Sequence, residues 1–148
     1  MTNSMTANQF FDTNILVYAF DSSDPAKQQI AKQLFAEAAI AATGRLSTQV
    51  LGEFFHATVI RRRLLTATEA ARAIDAFQKA FAVAAIEPAL VTDAIAVHQR
   101  YQLRYWDSLI VATANRYGCT EIVSEDLSHG HSYNGSVVRN PFRAVTGT

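Results

Sequence analysis

Short apolar runs alternate along this chain with longer stretches of helical periodicity, and that alternation narrows the folds open to it. Gln9 to Phe11 predicts a short buried strand, Asp12-Thr13-Asn14 a turn, and Ile15 to Phe20 the start of a helix. Asp24-Pro25 opens a second helix, with proline at its first position, running to about Ala42 and stopping near Gly44. Leu46-Ser47-Thr48 is a second strand, and 49–60 a helix with Val50, Phe54, Ala57 and Thr58 on one face. Thr66 or Thr68 caps the next helix, to about Ala82, and Val83 to Ile86 is a third strand closed by Pro88. Residues 89–101 are helical with Leu90, Ala94, Val97 and Tyr101 aligned. Asp107 begins another helix, striped by Ile110, Val111 and Ala114, that ends at Tyr117-Gly118. Glu121 to Ser124 is a strand, and a Gly/Ser/Asn-rich loop over 128–136 leads to a last strand at Val137-Val138. Strands separated by helices join through right-handed crossovers into a mostly parallel sheet. Ligands of such folds gather at the carboxyl ends of the strands.

With 148 residues the expectation is one domain over 1–148, with about 1–7 disordered. A hydrophobic share of 49% with 18% charged residues is that of a globular chain. No apolar run reaches the ~18 residues of a membrane span, and no export signal is evident. Cys119 is the lone cysteine, which excludes an internal disulfide and fits a reducing, cytoplasmic setting. The formal net charge is zero, whereas a general nucleic-acid coat is basic. Any nucleic-acid chemistry must therefore be local, at a basic patch or at a cation bound in an acidic site.

Acids are sparse, 13 in all, and those beside apolar runs carry the most information. They are Asp12 in QFFDTNIL, Glu53 in QVLGEFFHA, Asp107 in RYWDSLIVATA and Asp126 in EIVSEDL. Asp12 and Asp107 can each be a helix cap, and Asp126 an Asx turn. Glu53 sits mid-helix, leaning toward the apolar stripe or solvated at its edge. Asp12 and Asp126 follow strands, Asp107 starts a helix, and Glu53 comes shortly after a strand, so one sheet edge can receive them all. Two unit charges about 5 Å apart repel by roughly 3 kcal/mol at an effective dielectric of about 20, so converging carboxylates call for a cation. Oxygen donors suit Mg²⁺ or Mn²⁺, and the His/Cys spacing of a zinc site is lacking.

FDTNILVYAFD, QVLGEFFHA, YWDSLIVATANRYGC, VSEDL and the closing VVRNPF together resemble the PIN-domain family, most of all its VapC-type toxins, over about residues 8–143. The resemblance implies a three-layer α/β/α fold around a mostly parallel sheet. It implies an Mg²⁺- or Mn²⁺-dependent endoribonuclease, the toxin of a type II toxin–antitoxin pair, with an RNA substrate, a cognate antitoxin and a homodimer. Asp12, Glu53, Asp107 and Asp126 match the metal-binding acids, and Asn14 and Ser124 the polar positions that orient them. Glu125 does not match and is expected to point away from Asp126.

Metal-held water needs no protein nucleophile, and no Ser-His-Asp elbow or reactive cysteine context is present. Asp12 and Asp107 are the expected direct ligands, with Glu53 and Asp126 binding directly or through water. Arg61, Arg62, Arg63, Arg100 and Arg104 are candidate RNA contacts or solvated charges, and Tyr105 and Trp106 candidate stacking or core residues. His129 and His131 read as surface loop residues, His56 and His98 as ordinary helix residues, and Cys119 as a small buried side chain. Phe11, Phe20, Phe54 and Phe55 read as core or a dimer face. The alternatives are a PIN-like RNA-binding or regulatory domain without turnover, or a housekeeping nuclease. A haloacid-dehalogenase-type phosphatase fits poorly, because Asn14 stands where its second aspartate is needed.

Overall fold

In the computed structural model, which describes residues 7–146, a sheet of six strands has the order β3-β2-β1-β4-β6-β5. The expected disorder of about 1–7 falls, except for Ala7, outside the described residues. The strands are β1 (Gln9–Phe11), β2 (Gly44–Ser47), β3 (Ala82–Ala84), β4 (Glu121–Val123), β5 (Ser132–Tyr133) and β6 (Ser136–Arg139). The helices are α1 (Thr13–Tyr18), α2 (Pro25–Ala41), α3 (Thr48–Phe55), α4 (Ala67–Ala80), α5 (Pro88–Tyr101), α6 (Tyr105–Arg116) and the short α7 (Arg143–Thr146). Pairings are parallel except for β5 with β6. This is the expected α/β/α arrangement with a mostly parallel sheet.

The order places β1 at a turning point. From β1 the chain steps outward through β2 to β3, then returns to lay β4 on the other side of β1. Between two such strands the following connections diverge and leave a crevice at the carboxyl ends, where open α/β sheets bind ligands. Asp12 immediately follows β1, and Ser124 immediately follows β4. The ladder reaches that edge, since Asp12 N–H donates to the Val123 carbonyl at 3.0 Å.

An aromatic chain fills one side of the sheet. Phe11 meets Phe35 edge-on at 5.2 Å, and Phe54 meets Phe77 at 5.3 Å with Phe20 beside both. Phe11 and Phe54 are fully buried, and Phe20 and Phe55 pack against the core, so these rings belong to the interior. The predicted stripe of Val50, Phe54, Ala57 and Thr58 is buried as a unit. Thr66 rather than Thr68 caps α4, in a reciprocal capping box with Glu69.

Local geometry departs from the predicted elements in five places. The helix over 49–60 changes to π geometry at His56–Arg61, where Arg62 N–H reaches the Ala57 carbonyl at 3.0 Å. There the Thr58 hydroxyl donates to the Phe54 carbonyl at 2.8 Å, competing with the α-helical ladder. α6 begins at Tyr105, so Asp107 lies inside its first turn. The 128–136 loop contains β5, and α7 follows β6. α2 ends through Ala42, left-handed at φ 57°, while Gly44 serves β2 instead.

These last two residues generate opposite expectations. Left-handed backbone costs a residue with a Cβ about 1–2 kcal/mol. Ala42→Gly is therefore expected to raise unfolding free energy by about 1 kcal/mol. A Cβ at Gly44 would fall within the buried Phe81 ring, so Gly44→Ala is expected to lower it by about 1–3 kcal/mol. Urea denaturation of both variants checks the pair.

Candidate active site

Asp12 is the one buried carboxylate of the four acids. It is 6% exposed. Its Oδ1 accepts Thr13 N–H at 2.7 Å and caps α1, while its Oδ2 accepts the Ser124 hydroxyl at 2.7 Å. The helix-cap and site readings of Asp12 are thus both realised. Burial is the main cause that pushes its carboxyl up to about 6; Ser124 and Thr13 pull it down, and the charges of Asp126 and Asp107 add to the rise.

Asn14 spans the crevice. Its Nδ2 donates to Asp126 at 3.1 Å and to Asp12 at 3.4 Å, and its Oδ1 accepts the Glu125 N–H at 3.2 Å. Ser124 does double duty, because its oxygen also accepts the N–H groups of Asp126 and Leu127 at 3.1 and 3.3 Å. The turn after β4 is therefore made by Ser124, and the Asp126 carboxylate is left for Asn14. Glu125 turns to Lys27, with which it forms an ion pair, and accepts from the Tyr18 hydroxyl at 2.7 Å.

Glu53 does not sink toward the apolar stripe. It lies half-buried at the stripe's edge, where its carboxylate accepts Thr13 Oγ1 at 2.6 Å and Gln49 Nε2 at 3.1 Å. Asp107 is not a cap, because Arg104 holds the N-cap position of α6. The Arg104 guanidinium instead reaches Asp107 with contacts of 3.2 and 3.4 Å. Asp107 raises the guanidinium's proton affinity further, foremost through that hydrogen bond.

All four acids line one cleft of about 590 Å³, together with Thr13, Asn14, Gln49, His56 and Arg104. Arg61 and Arg62 also line it, although Arg62 is engaged in an ion pair with Asp21. Arg63 lines a separate depression with Leu64 and Leu65, and Arg100 lies over the Tyr101 ring and donates to Asn134 at 3.0 Å. His129 accepts Asn140 N–H, and His131 stacks on Tyr133, so both stay outside the cleft. Thr13 and Gln49 are site residues that periodicity did not single out, yet both were within reach: Thr13 stands inside the D-T-N triplet, and Gln49 is one helical turn before Glu53.

The mutual repulsion expected of converging acids is lower than four close charges would produce. Among the described residues no group of three or more Asp, Glu, His or Cys side chains is close enough to hold one ion. Arg104 draws Asp107 aside, Thr13 and Gln49 hold Glu53 half-buried, and Asp126 faces solvent. The donor set still suits a hard divalent cation. It is all oxygen, borne by side chains that share one cleft, and centred on a buried carboxylate with no cationic partner of its own among the described residues.

A pH dependence follows from Asp12. Its folded-state pKa lies above the ordinary 3.8, so the folded chain holds the proton more tightly than the unfolded one. Its favourable contribution is complete below about pH 4 and is lost as pH rises through about 6. The loss amounts to about 3 kcal/mol. Asp12→Asn keeps one acceptor oxygen for Thr13 N–H, turns an amide N–H donor toward the Ser124 oxygen, and escapes that loss. In chelator, denaturant titration is expected to find the variant more stable than the parent near pH 7.5, with the gap closing toward pH 4. A gap independent of pH contradicts the assignment.

Comparison with known proteins agrees with this geometry. The PIN domain family model matches residues 10–130. A Mycobacterium tuberculosis VapC20, a sarcin-ricin loop cleaving toxin, shares the fold with TM-score 0.65 and 21% identity over 80% of this chain and 90% of its own. A toxin–antitoxin complex from Klebsiella pneumoniae gives 0.67 at 23% identity over 90% and 98%. DNA-bound VapBC from Salmonella typhimurium gives 0.68 at 12% over 91% and 98%. No curated protein sequence matches the chain. With most of its length covered by the family model, and Asp12, Asn14 and Ser124 joined at the sheet's turning point, the chain belongs to the PIN domain family.

Proposed function

We propose that this protein is a divalent-metal-dependent endoribonuclease, the toxin of a type II toxin–antitoxin pair. One observation carries the reading: a buried carboxylate, Asp12, is oriented by Ser124 and bridged through Asn14 to Asp126 in a cleft that Glu53 and Asp107 also line. The VapC toxins among its structural relatives support it. Mg²⁺ or Mn²⁺, held by Asp12 and Asp107 with Glu53 and Asp126, would supply an activated water and positive charge at the scissile phosphodiester.

The chain's own residues do the positioning. Ser124 and Thr13 fix both oxygens of Asp12, and Asn14 sets the spacing to Asp126. Arg104 and Arg61 stand at the cleft as phosphate contacts, which lets a chain of zero net charge meet RNA locally. The same acidic cleft suits a basic side chain of an antitoxin, and a homodimer and a cytoplasmic setting belong to the same reading. Among the described residues no helix is long and apolar enough to cross a membrane.

A second reading, an RNA-binding domain without turnover, is favoured by the Arg104–Asp107 ion pair, which takes up one acid. Cleavage separates the two. Purified protein is expected to cut RNA in Mg²⁺ or Mn²⁺ and to stop on chelation. Asp12→Asn and Asp107→Asn each should cost more than about a hundredfold in rate, since a bound ion contributes several kcal/mol. Ser124→Ala should cost about ten- to a hundredfold by misorienting Asp12. Full activity of Asp12→Asn, or cleavage undiminished in chelator, would sink the nuclease reading, while retention of RNA without cleavage in either ion selects the second.

A further inference from the structure

A second depression, of about 510 Å³, adjoins the acid cleft, with mainly apolar walls from Ile86, Leu109 and Trp106. It shares Gln49, Gly52, Glu53 and Trp106 with the cleft, so the two are continuous. Trp106 is 58% exposed, a large apolar ring left in water where most of its class is covered. It is also held. Tyr105 packs edge-on against it with centroids 4.9 Å apart, and the Trp106 carbonyl accepts Gln49 Nε2 at 3.1 Å. The same Nε2 donates to Glu53, so one amide ties the ring's backbone to a site carboxylate.

That tie leaves Gln49 Oε1 buried without a partner among the described residues, a cost that native sites seldom carry without function. Gly52 has nothing within 4 Å of where a Cβ would stand, which leaves the wall between cleft and depression open. Trp106 and Asp107 are successive residues of one helix, so their side chains diverge by about 100° and serve neighbouring pockets. Arg104 follows the same rim, with its guanidinium exposed.

We propose that this depression is a subsite for an unpaired nucleobase, stacked on Trp106, whose adjoining phosphodiester lies over the acids. The inference rests on the ribonuclease reading and adds substrate selection to it. A flat π-faced ligand matches an exposed indole, and stacking tolerates any base identity. An apolar patch built only to meet a second copy of the chain would not be bordered by Glu53, Asp107 and Arg104, which leave an interface core charged. Base-paired RNA keeps its bases stacked inside the helix, so the subsite selects single strands or loops.

Trp106 is the only tryptophan in the chain, so its emission reports this subsite alone. The test titrates a dye-labelled single-stranded oligoribonucleotide into Asp12→Asn in Mg²⁺, following indole emission and dye anisotropy together. Emission is expected to quench with the same midpoint as the anisotropy rise, and duplex RNA of equal length to leave it unchanged. Trp106→Ala should weaken single-strand binding by about ten- to a hundredfold, and Trp106→Phe should retain most of it. On the active chain Trp106→Ala should raise KM with kcat nearly kept. Binding with silent emission, or unaltered affinity of Trp106→Ala, overturns the subsite and leaves the nuclease reading standing. Dissociation of an RNA-free dimer by Trp106→Ala, seen by sedimentation, also overturns it, because the ring then belongs to a protein interface. Failure of any RNA to bind this variant overturns the subsite, and failure of the parent chain to cleave any RNA in Mg²⁺ or Mn²⁺ overturns both.

Discussion

The hydrogen bond from Ser124 to Asp12 is the constraint on which the remaining geometry hangs. It closes the gap between the carboxyl ends of β1 and β4, the strands on either side of the sheet's turning point. Asp12 is thereby a structural and a chemical residue at once. Its backbone extends the ladder to Val123, its Oδ1 starts α1, and its Oδ2 faces the cleft through Ser124. A carboxylate so buried raises its own pKa, and the hydrogen bonds that pull it back down only partly offset the desolvation.

Around that fixed point the charges are sorted by distance from it. Glu125, adjacent in sequence to Asp126, is drawn off by Lys27 and the Tyr18 hydroxyl, and Lys27 also lies over the Tyr18 ring. Asp21, almost wholly buried, is held below the usual carboxylate range first by the Ser23 hydroxyl and also by Arg62. These pairs cancel charge within the shell of the cleft. The zero net charge of the chain is therefore compatible with an acidic floor, because neutralisation is local and the floor is spared.

Much of this arrangement was legible in the sequence, for reasons that differ by element. The parallel strands and their helices follow from periodicity, because the buried positions of β1 and β4 carry only apolar residues and a half-buried α3 only a stripe. The convergence of Asp12, Glu53, Asp107 and Asp126 on one cleft follows from that order alone. Side-chain direction did not. Glu53 has the spacing of a stripe residue but is pulled outward by Thr13, a contact forty residues away in sequence. Asp107 has the look of a cap, yet the helix begins two residues earlier and leaves it to Arg104. Arg100 and Arg63 were indistinguishable from Arg104 and Arg61 by charge; only their places on α5 and after the π turn keep them from the cleft. The π turn itself depends on Thr58 recruiting the Phe54 carbonyl, and hydrophobic periodicity is blind to it.

The difference in burial among the four acids bears on how such a cleft would gather the cation proposed for it. Asp12 has no freedom to move, since both of its oxygens and its backbone are bonded in the interior. Asp126 is exposed and Glu53 half-buried, and each is held by side chains that can rotate with it. Asp107 is held by an exposed guanidinium, and contacts of that kind exchange easily with water and ions. Closing the acids around one point would therefore ask rearrangement only of groups at least partly open to water. The immobile member is the one whose burial makes its ionised form costly, and it is the one a cation would favour most. A site built this way stores its electrostatic cost in Asp12 and its adaptability in the other three.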